Sequence, residues 1–305
     1  MFGGGLMELS SEEVEKLLRA GRVVKQVLKR AAEIVKPGAR VVDICESLEN
    51  LIYELGASPA FPCNVSINEV AAHYSSPADD QLEVPDGSLV KVDVGAHVDG
   101  YIADAAITLC FNPDFMELVE AAEKALEAAI QLMKPGVSIR RISSAIEGEI
   151  KRLGFKPISN LSGHLMRRYL LHGGKSIPNV ATSYDAVVLE GEVYAVEPFA
   201  TTGIGSVVDT DQVCIYSFIK VKGAKNRFEK KLLKKIKSKF RGLPFSERWL
   251  LDCGSLTQIR AALQNLASKG ALHSYPVLKE AGGGLVAQAE HTVIVLRDGP
   301  LITTA

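Results

Sequence analysis

No stretch of this 305-residue chain reaches 18 uncharged apolar positions, so the sequence carries no signal for a membrane-spanning helix. The first thirteen residues, MFGGGLMELSSEE, have neither a basic n-region nor an apolar h-region, so a secretory leader is not expected and a cytoplasmic location is. Cysteine is scarce: Cys45, Cys63, Cys110, Cys214 and Cys253 are odd in number, scattered and never spaced C-x-x-C. That argues against a disulfide framework and a thiolate zinc site, and it fits a reducing compartment. Acidic residues nearly vanish from one window. Between Lys220 and Arg241 there are eleven basic residues and one acid, Glu229, so the window carries +10 and, with a net charge of −1, the rest carries −11. An acidic body with a basic module attached is the first sign of organisation. Apolar residues make up 47% of the chain, enough for a sizeable core.

What the sequence does contain is a duplication, the feature to seek first. Residues 36–56 read KPGARVVDICESLENLIYELG and residues 134–154 read KPGVSIRRISSAIEGEIKRLG, with eight identities in 21 ungapped positions. Each copy follows a helical stretch and runs into a loop holding a histidine, His73 in the first and His172 in the second. A strand follows in each, GSLVKVDVG at 87–95 and GEVYAVEPF at 191–199, and aligning Gly87 with Gly191 sets Asp93 opposite Glu197. Ser10 and Glu13 form a capping box that opens the first helix. Pro37-Gly38 and Pro135-Gly136 break the chain between helices. Val90, Val92 and Val94 alternate with Lys91, Asp93 and Gly95, the period of a half-buried strand. Asp99-Gly100 signals a turn, with Tyr101 to Leu109 returning. Each half is thus two helices and a strand-rich unit. Two halves closing on one sheet predict a pseudo-symmetric α+β domain with the matched acids near its twofold axis.

Asp93 and Asp104 are equidistant from a turn centred between residues 98 and 99, which predicts direct opposition across the hairpin. Two carboxylates that close on one face are unfavourable without a cation between them, and dinuclear hydrolytic sites have ions about 3.5–4 Å apart. The spacing alone leaves open that one aspartate faces solvent or caps the turn. Glu197 lies in an apolar strand, and a carboxylate there needs a partner. Glu290, in LVAQAEHTVIVL, is similar, although either could be an edge-strand residue pointing outward. His164 in LSGHLM sits in a loop, where a lone histidine is more often a surface residue than a ligand. His97, His273 and His291 are read as structural.

The set Asp93, Asp104, His164, Glu197 and Glu290, in this order, resembles the five-ligand site of the methionine aminopeptidase and prolidase superfamily. The strings that carry the resemblance are KVDVGAHVDGYIADAAIT, LSGHLMRRYLLHGG, YAVEPFATTG and AEHTVIVL, spread over nearly the whole chain. It implies the pita-bread fold, α+β, with two duplicated halves around a curved antiparallel sheet. The finer features resemble type II methionine aminopeptidases in their short archaeal form. About 35 residues precede the first repeat, too few for the extra domain of prolidases, and 92 residues separate Glu197 from Glu290, room for an inserted helical subdomain. The expected division is therefore a catalytic domain of residues 1–219 and 276–305 and a basic, winged-helix-like insertion at 220–275.

The activity implied is metal-dependent removal of the N-terminal initiator methionine from nascent polypeptides when the second residue is small, by a monomer. Four carboxylates and one imidazole make a hard site suited to two divalent ions: Co²⁺, Mn²⁺, Fe²⁺ or Zn²⁺. By resemblance Asp93 and Glu290 bridge the ions, Asp104 completes one and His164 with Glu197 the other. Glu197 also relays a proton to the leaving amine, while His73 and His172 flank the scissile carbonyl and amide. Phe61 and Leu171 are candidates for an apolar pocket holding the methionine side chain, or else simply core. Two other classes stay open: a non-catalytic interaction protein on the same fold, and a nucleic-acid-binding protein, for which the +10 window could contact ribosomal RNA or could be only a solvated helix face.

Overall fold

The structure, a computed structural model, describes residues 9–184 and 186–305. Residues 1–8 of the segment read above as leader-free lie outside the described residues. Helix α1, Ser11–Ile34, opens as its sequence requires: Glu13 N donates to Ser10 Oγ at 3.3 Å and Ser10 N to Glu13 Oε2 at 2.8 Å. With α2, Val41–Glu54, it buries Val24, Val27, Ile44, Leu48 and Ile52 against the first half-sheet. That half-sheet has β1, Asn64–Ile67, from which a two-residue turn leads to β2, Val70–Ala72, a strand of a different sheet; β1 and then β4, Tyr101–Cys110, flank β3, Leu89–Val98. Helices α3, Met116–Gln131, and α4, Ile139–Arg152, repeat the arrangement over the second half, with Leu118, Leu126, Ile142 and Ile146 in a separate core. Here β5, Ser162–Met166, and β6, Val193–Val196, pair antiparallel.

Between β7, Val207–Phe218, and β8, Leu272–Glu280, the chain leaves the sheet to form α5, Arg227–Phe240, and α6, Leu256–Ser268. These helices bury Leu232, Ile236, Phe240, Ile259 and Leu266 in a core of their own with Phe245. The short β9, Val286–Gln288, then leads through Glu290 to β10, His291–Leu296, which pairs with β6. The two halves meet where β4 runs beside residues 288–292. Thr292 Oγ1 donates to Asp104 O and accepts from Asp104 N, both at 2.7 Å. Ala106 and Glu290 exchange backbone hydrogen bonds at 3.0 and 3.4 Å. Thr108 Oγ1 donates to Gln288 O at 2.7 Å and accepts from Gln288 N at 2.9 Å. No helix among the described residues is long and apolar enough to cross a membrane.

The hairpin departs from its expected register. Asp99 and Gly100 both have positive φ, 53° and 88°, so the turn is a two-residue primed turn centred between them. Asp93 therefore pairs with Ala106, and Asp104 with Gly95. The two aspartates are diagonal neighbours, about 7–8 Å between backbones and still within side-chain reach.

Candidate metal centre

Along β3 the valines Val90, Val92 and Val94 are buried in the helix-facing core, which turns Lys91, Asp93 and Gly95 to the opposite face. Gly95 has a reason to be glycine: a side chain there would run into the ring of Phe61, which packs across it. Asp104 reaches the same face from β4, with its backbone clipped by Thr292. The second half supplies His164 from β5, paired with Ala195 of β6, and Glu197 just after β6. Glu290 arrives through the seam, delivered to Asp104 by its bridge to Ala106.

The resulting geometry is tight. His164 Nε2 lies 3.5 Å from Glu197 Oε1 and 3.8 Å from Asp104 Oδ2. Asp104, His164 and Glu290 each present one donor atom within 4.8 Å of the others. Gln288 Nε2 donates to Glu290 Oε2 at 3.1 Å, orienting that carboxylate. Asp104 and Glu290 are only 3% and 2% exposed. Burial pushes the Asp93 carboxyl up to about 7. Burial, then the charges of Asp93 and Glu197, raise Asp104 well above the carboxylate range; burial and Asp93 raise Glu197, and burial, then Asp104, Glu197 and Asp93, raise Glu290. The His164 imidazole is pushed well down by burial and by His172, whose ring centroid is 4.5 Å away. Buried Oδ1 atoms of Asp93 and Asp104 and Nδ1 of His164 have no hydrogen-bond partner. Four clustered carboxyls, two of them with an orphaned oxygen, and one neutral imidazole, with no thiol among them, fit divalent cations in the borderline-hard class.

All five donors line one cavity of about 440 Å³, together with His73, His172, Phe61 and Leu171. Phe61 and Leu171 also belong to a buried apolar cluster with Met166 and Leu243, so each is both core and cavity wall. His73 follows β2 with a left-handed φ of 66°. Its Nδ1 lies 3.0 Å from Pro276 O, an acceptor only, so Nδ1 carries the proton and Nε2 is left as the free lone pair. Burial lowers the His73 imidazole and takes His172 down to about 4.

Sequence reasoning did not find Tyr275. Its ring stands edge-on to His73 at 5.7 Å and stacks on His172 at 6.3 Å, lining the cavity from β8. Asn64, Ile215 and Pro244 also line it without having been singled out. The Tyr275-Pro276 dipeptide inside a strand was the available signal, since proline in a strand marks an edge or a special contact. His97 accepts from Gly100 N at 3.1 Å inside the hairpin turn, and His291 contacts Thr304 Oγ1 at 2.8 Å, both structural as expected. His273 is exposed but packs edge-on against Tyr275 at 4.5 Å, closer to the cavity than its sequence position suggested.

Residues 15–295 of the chain match metallopeptidase family M24. The methionine aminopeptidase of Pyrococcus horikoshii is 47% identical over 296 residues, covering 96% of this chain and 99% of that one. Among solved structures, a thermophilic Arx1 superposes with a TM-score of 0.87 at 20% identity, over 97% of this chain and 91% of that one. The methionine aminopeptidase of Thermotoga maritima gives 0.71 at 23% identity, over 98% and 99%. At such identities these two structures speak for the fold alone.

Proposed function

The chain belongs to metallopeptidase family M24, and from that premise we propose that it is a methionine aminopeptidase of type II that releases the initiator methionine from nascent chains. The observation that carries the substrate assignment is full-length likeness at 47% to a methionine aminopeptidase. The converging donor set supports the hydrolytic chemistry. Asp93, Asp104, His164, Glu197 and Glu290 would hold two divalent ions, drawn from Co²⁺, Mn²⁺, Fe²⁺ and Zn²⁺. The family pattern suggested Asp93 and Glu290 as the shared ligands. The packing favours Asp104 with Glu290, because Asp104 lies against both Asp93 and the His164–Glu197 pair. When bound, the ions supply polarisation of the scissile carbonyl and activation of the attacking water.

The protein's own groups do the rest. Glu197, at the cavity wall beside His164, takes the proton from water and passes it to the departing amine. His73, neutral and locked by Pro276, offers its Nε2 to the scissile amide N–H, and His172, beside the same Tyr275 ring, faces the carbonyl. Phe61 and Leu171 bound the space for the methionine side chain. The next residue must fit beside the five donors and the ions they would hold, so a small second residue is required. Met-Gly and Met-Ala peptides should be cleaved more than roughly tenfold faster, by kcat/KM, than Met-Leu and Met-Phe. Equal rates on all four, or equally fast release of other N-terminal residues, would reject the assignment.

Residues 220–275 act in this reading as the inserted, winged-helix-like subdomain on the 1–219 and 276–305 catalytic domain. Lys230, Lys231, Lys234 and Lys237 are exposed along α5, while Lys235 is half-buried and pairs with Asp252 at 2.5 Å. A lysine face of this density attracts a polyanion, and for an enzyme of new chains that polyanion is ribosomal RNA. The protein should then sediment with ribosomes at low salt and be released steeply as salt rises. Changing Lys230, Lys234 and Lys237 to Glu should abolish sedimentation and spare peptide hydrolysis; unchanged sedimentation would return α5 to a solvated wall.

A further inference from the structure

A buried ion pair links the inserted segment to both edges of the cavity. Arg248, in the short turn before α6, donates from Nη1 and Nη2 to the two oxygens of Glu49 on α2, both at 2.7 Å. The pair is almost wholly enclosed, with Glu49 4% and Arg248 7% exposed. Each partner also grips a cavity segment. Glu49 Oε1 accepts from Cys63 N at 3.0 Å, in the middle of Phe61–Asn64. Arg248 Nε donates to Ser76 O at 2.8 Å and Nη2 to Ser75 Oγ at 3.1 Å, two and three residues after His73. Trp249 Nε1 adds a 2.8 Å bond to Glu49 Oε2. The chain after Ser76 is fastened to the same segment again. Ala78 N donates to Glu247 Oε1 at 3.2 Å, and Arg260 spans Asp79 and Glu247.

We propose that Glu49 and Arg248 are positioning residues, through which the inserted segment holds His73 and the Phe61–Asn64 wall in working geometry. His73 needs such support, because its left-handed backbone persists in a non-glycine residue only where the surroundings impose it. Lysine cannot reproduce the arrangement, since only the planar guanidinium delivers two parallel bonds to Glu49 while also reaching Ser75 and Ser76. The proposal rests on the aminopeptidase reading for its kinetic consequences, though not for its geometry.

The test compares the metal-loaded wild type, Arg248→Lys, Ser75→Ala, His73→Ala and the His73→Ala/Arg248→Lys double variant on a Met-Ala-Ser peptide. Arg248→Lys should lower kcat roughly tenfold or more with KM changed less than about twofold, because a displacement near 1 Å is costly at the reacting centre. Ser75→Ala, which removes one bond and keeps the ion pair, should act in the same direction by about threefold. His73→Ala should keep its metal, and adding Arg248→Lys to it should cost less than about a further twofold, as expected of groups acting as a unit. An equal fold-loss in both backgrounds would reduce the pair to a structural brace and overturn the proposal. Histidine NMR of the zinc-loaded protein gives a readout independent of turnover. The His73 resonance, identified by its loss in His73→Ala, should move in Arg248→Lys and Ser75→Ala; an unmoved resonance overturns the proposal. A wild type that fails to cleave the peptide would defeat the aminopeptidase reading, and the resonance alone would then decide the proposal.

Discussion

Asp104→Ala and Glu290→Ala should each abolish peptide hydrolysis, by more than roughly a thousandfold, and each should leave the protein without tightly held divalent ions. Both carboxylates face the imidazole side and the Asp93 side of the centre, so losing either would remove a donor placed to serve both sides of it. The remaining acids, still buried and still near one another, then repel without a counterion. Elemental analysis after dialysis, alongside Met-Ala-Ser hydrolysis with each metal added back, decides the matter. Two retained ions in either variant, or activity restored by excess metal to the wild-type level, would contradict the assignment. Gln288→Ala should be milder, since that amide only orients Glu290, and a loss of metal affinity of roughly ten- to a hundredfold is the expected scale.

The second large effect is on the stability of the metal-stripped protein. Burial pushes the Asp93 carboxyl up to about 7 in the fold, from its ordinary 3.8, and Asp104, Glu197 and Glu290 are raised too. For these acids the folded chain binds more protons than the unfolded chain, so their contribution to stability is lost as pH rises above the carboxylate range. The buried histidines work the other way. His97 and His172 are lowered to about 4, and His73, His164 and His291 are also lowered, so the unfolded chain binds more protons until pH passes about 6.5. Between about pH 4.5 and 6.5 the two sets oppose one another. Above about pH 6.5 each carboxyl still protonated in the fold lowers stability by about 1.4 kcal/mol per pH unit, while Lys91, which burial lowers to about 7, works against them from about pH 7 upward. Between about pH 6.5 and 8.5 the metal-free protein should therefore lose melting temperature relative to the metal-loaded protein, in which ions would replace the carboxyl protons while Lys91 acts equally in both. Metal-free Asp104→Asn should show a shallower decline. Parallel melting curves for loaded and stripped protein across that range would sink this account.

Much of the centre was legible because its residues break the local pattern of their strands. Asp93 and Glu197 interrupt apolar alternation at matched positions of a duplication, and burial of a carboxylate demands a partner. The direct opposition of Asp93 and Asp104 was misjudged because the turn was centred one residue early. The Asp99-Gly100 pair already specified a two-residue turn that moves the register. The Glu49–Arg248 pair lay beyond reach for another reason: its partners are 199 residues apart and meet only once the inserted segment has docked on α2. Tyr275 stayed hidden similarly, since its neighbours His73 and His172 come from two other parts of the chain.

The seam between the halves also constrains how this chain can change in length. Residues 104, 106 and 108 meet 292, 290 and 288 in strict two-residue steps, so β4 and the segment beside it measure each other like two rulers. One residue gained or lost inside either ruler would turn Asp104 or Glu290 to the other face. Descendants of this sequence can lengthen or shorten their surface loops freely, as loops generally do. In these two short stretches an insertion or deletion would be lethal to the enzyme even where every liganding residue survived.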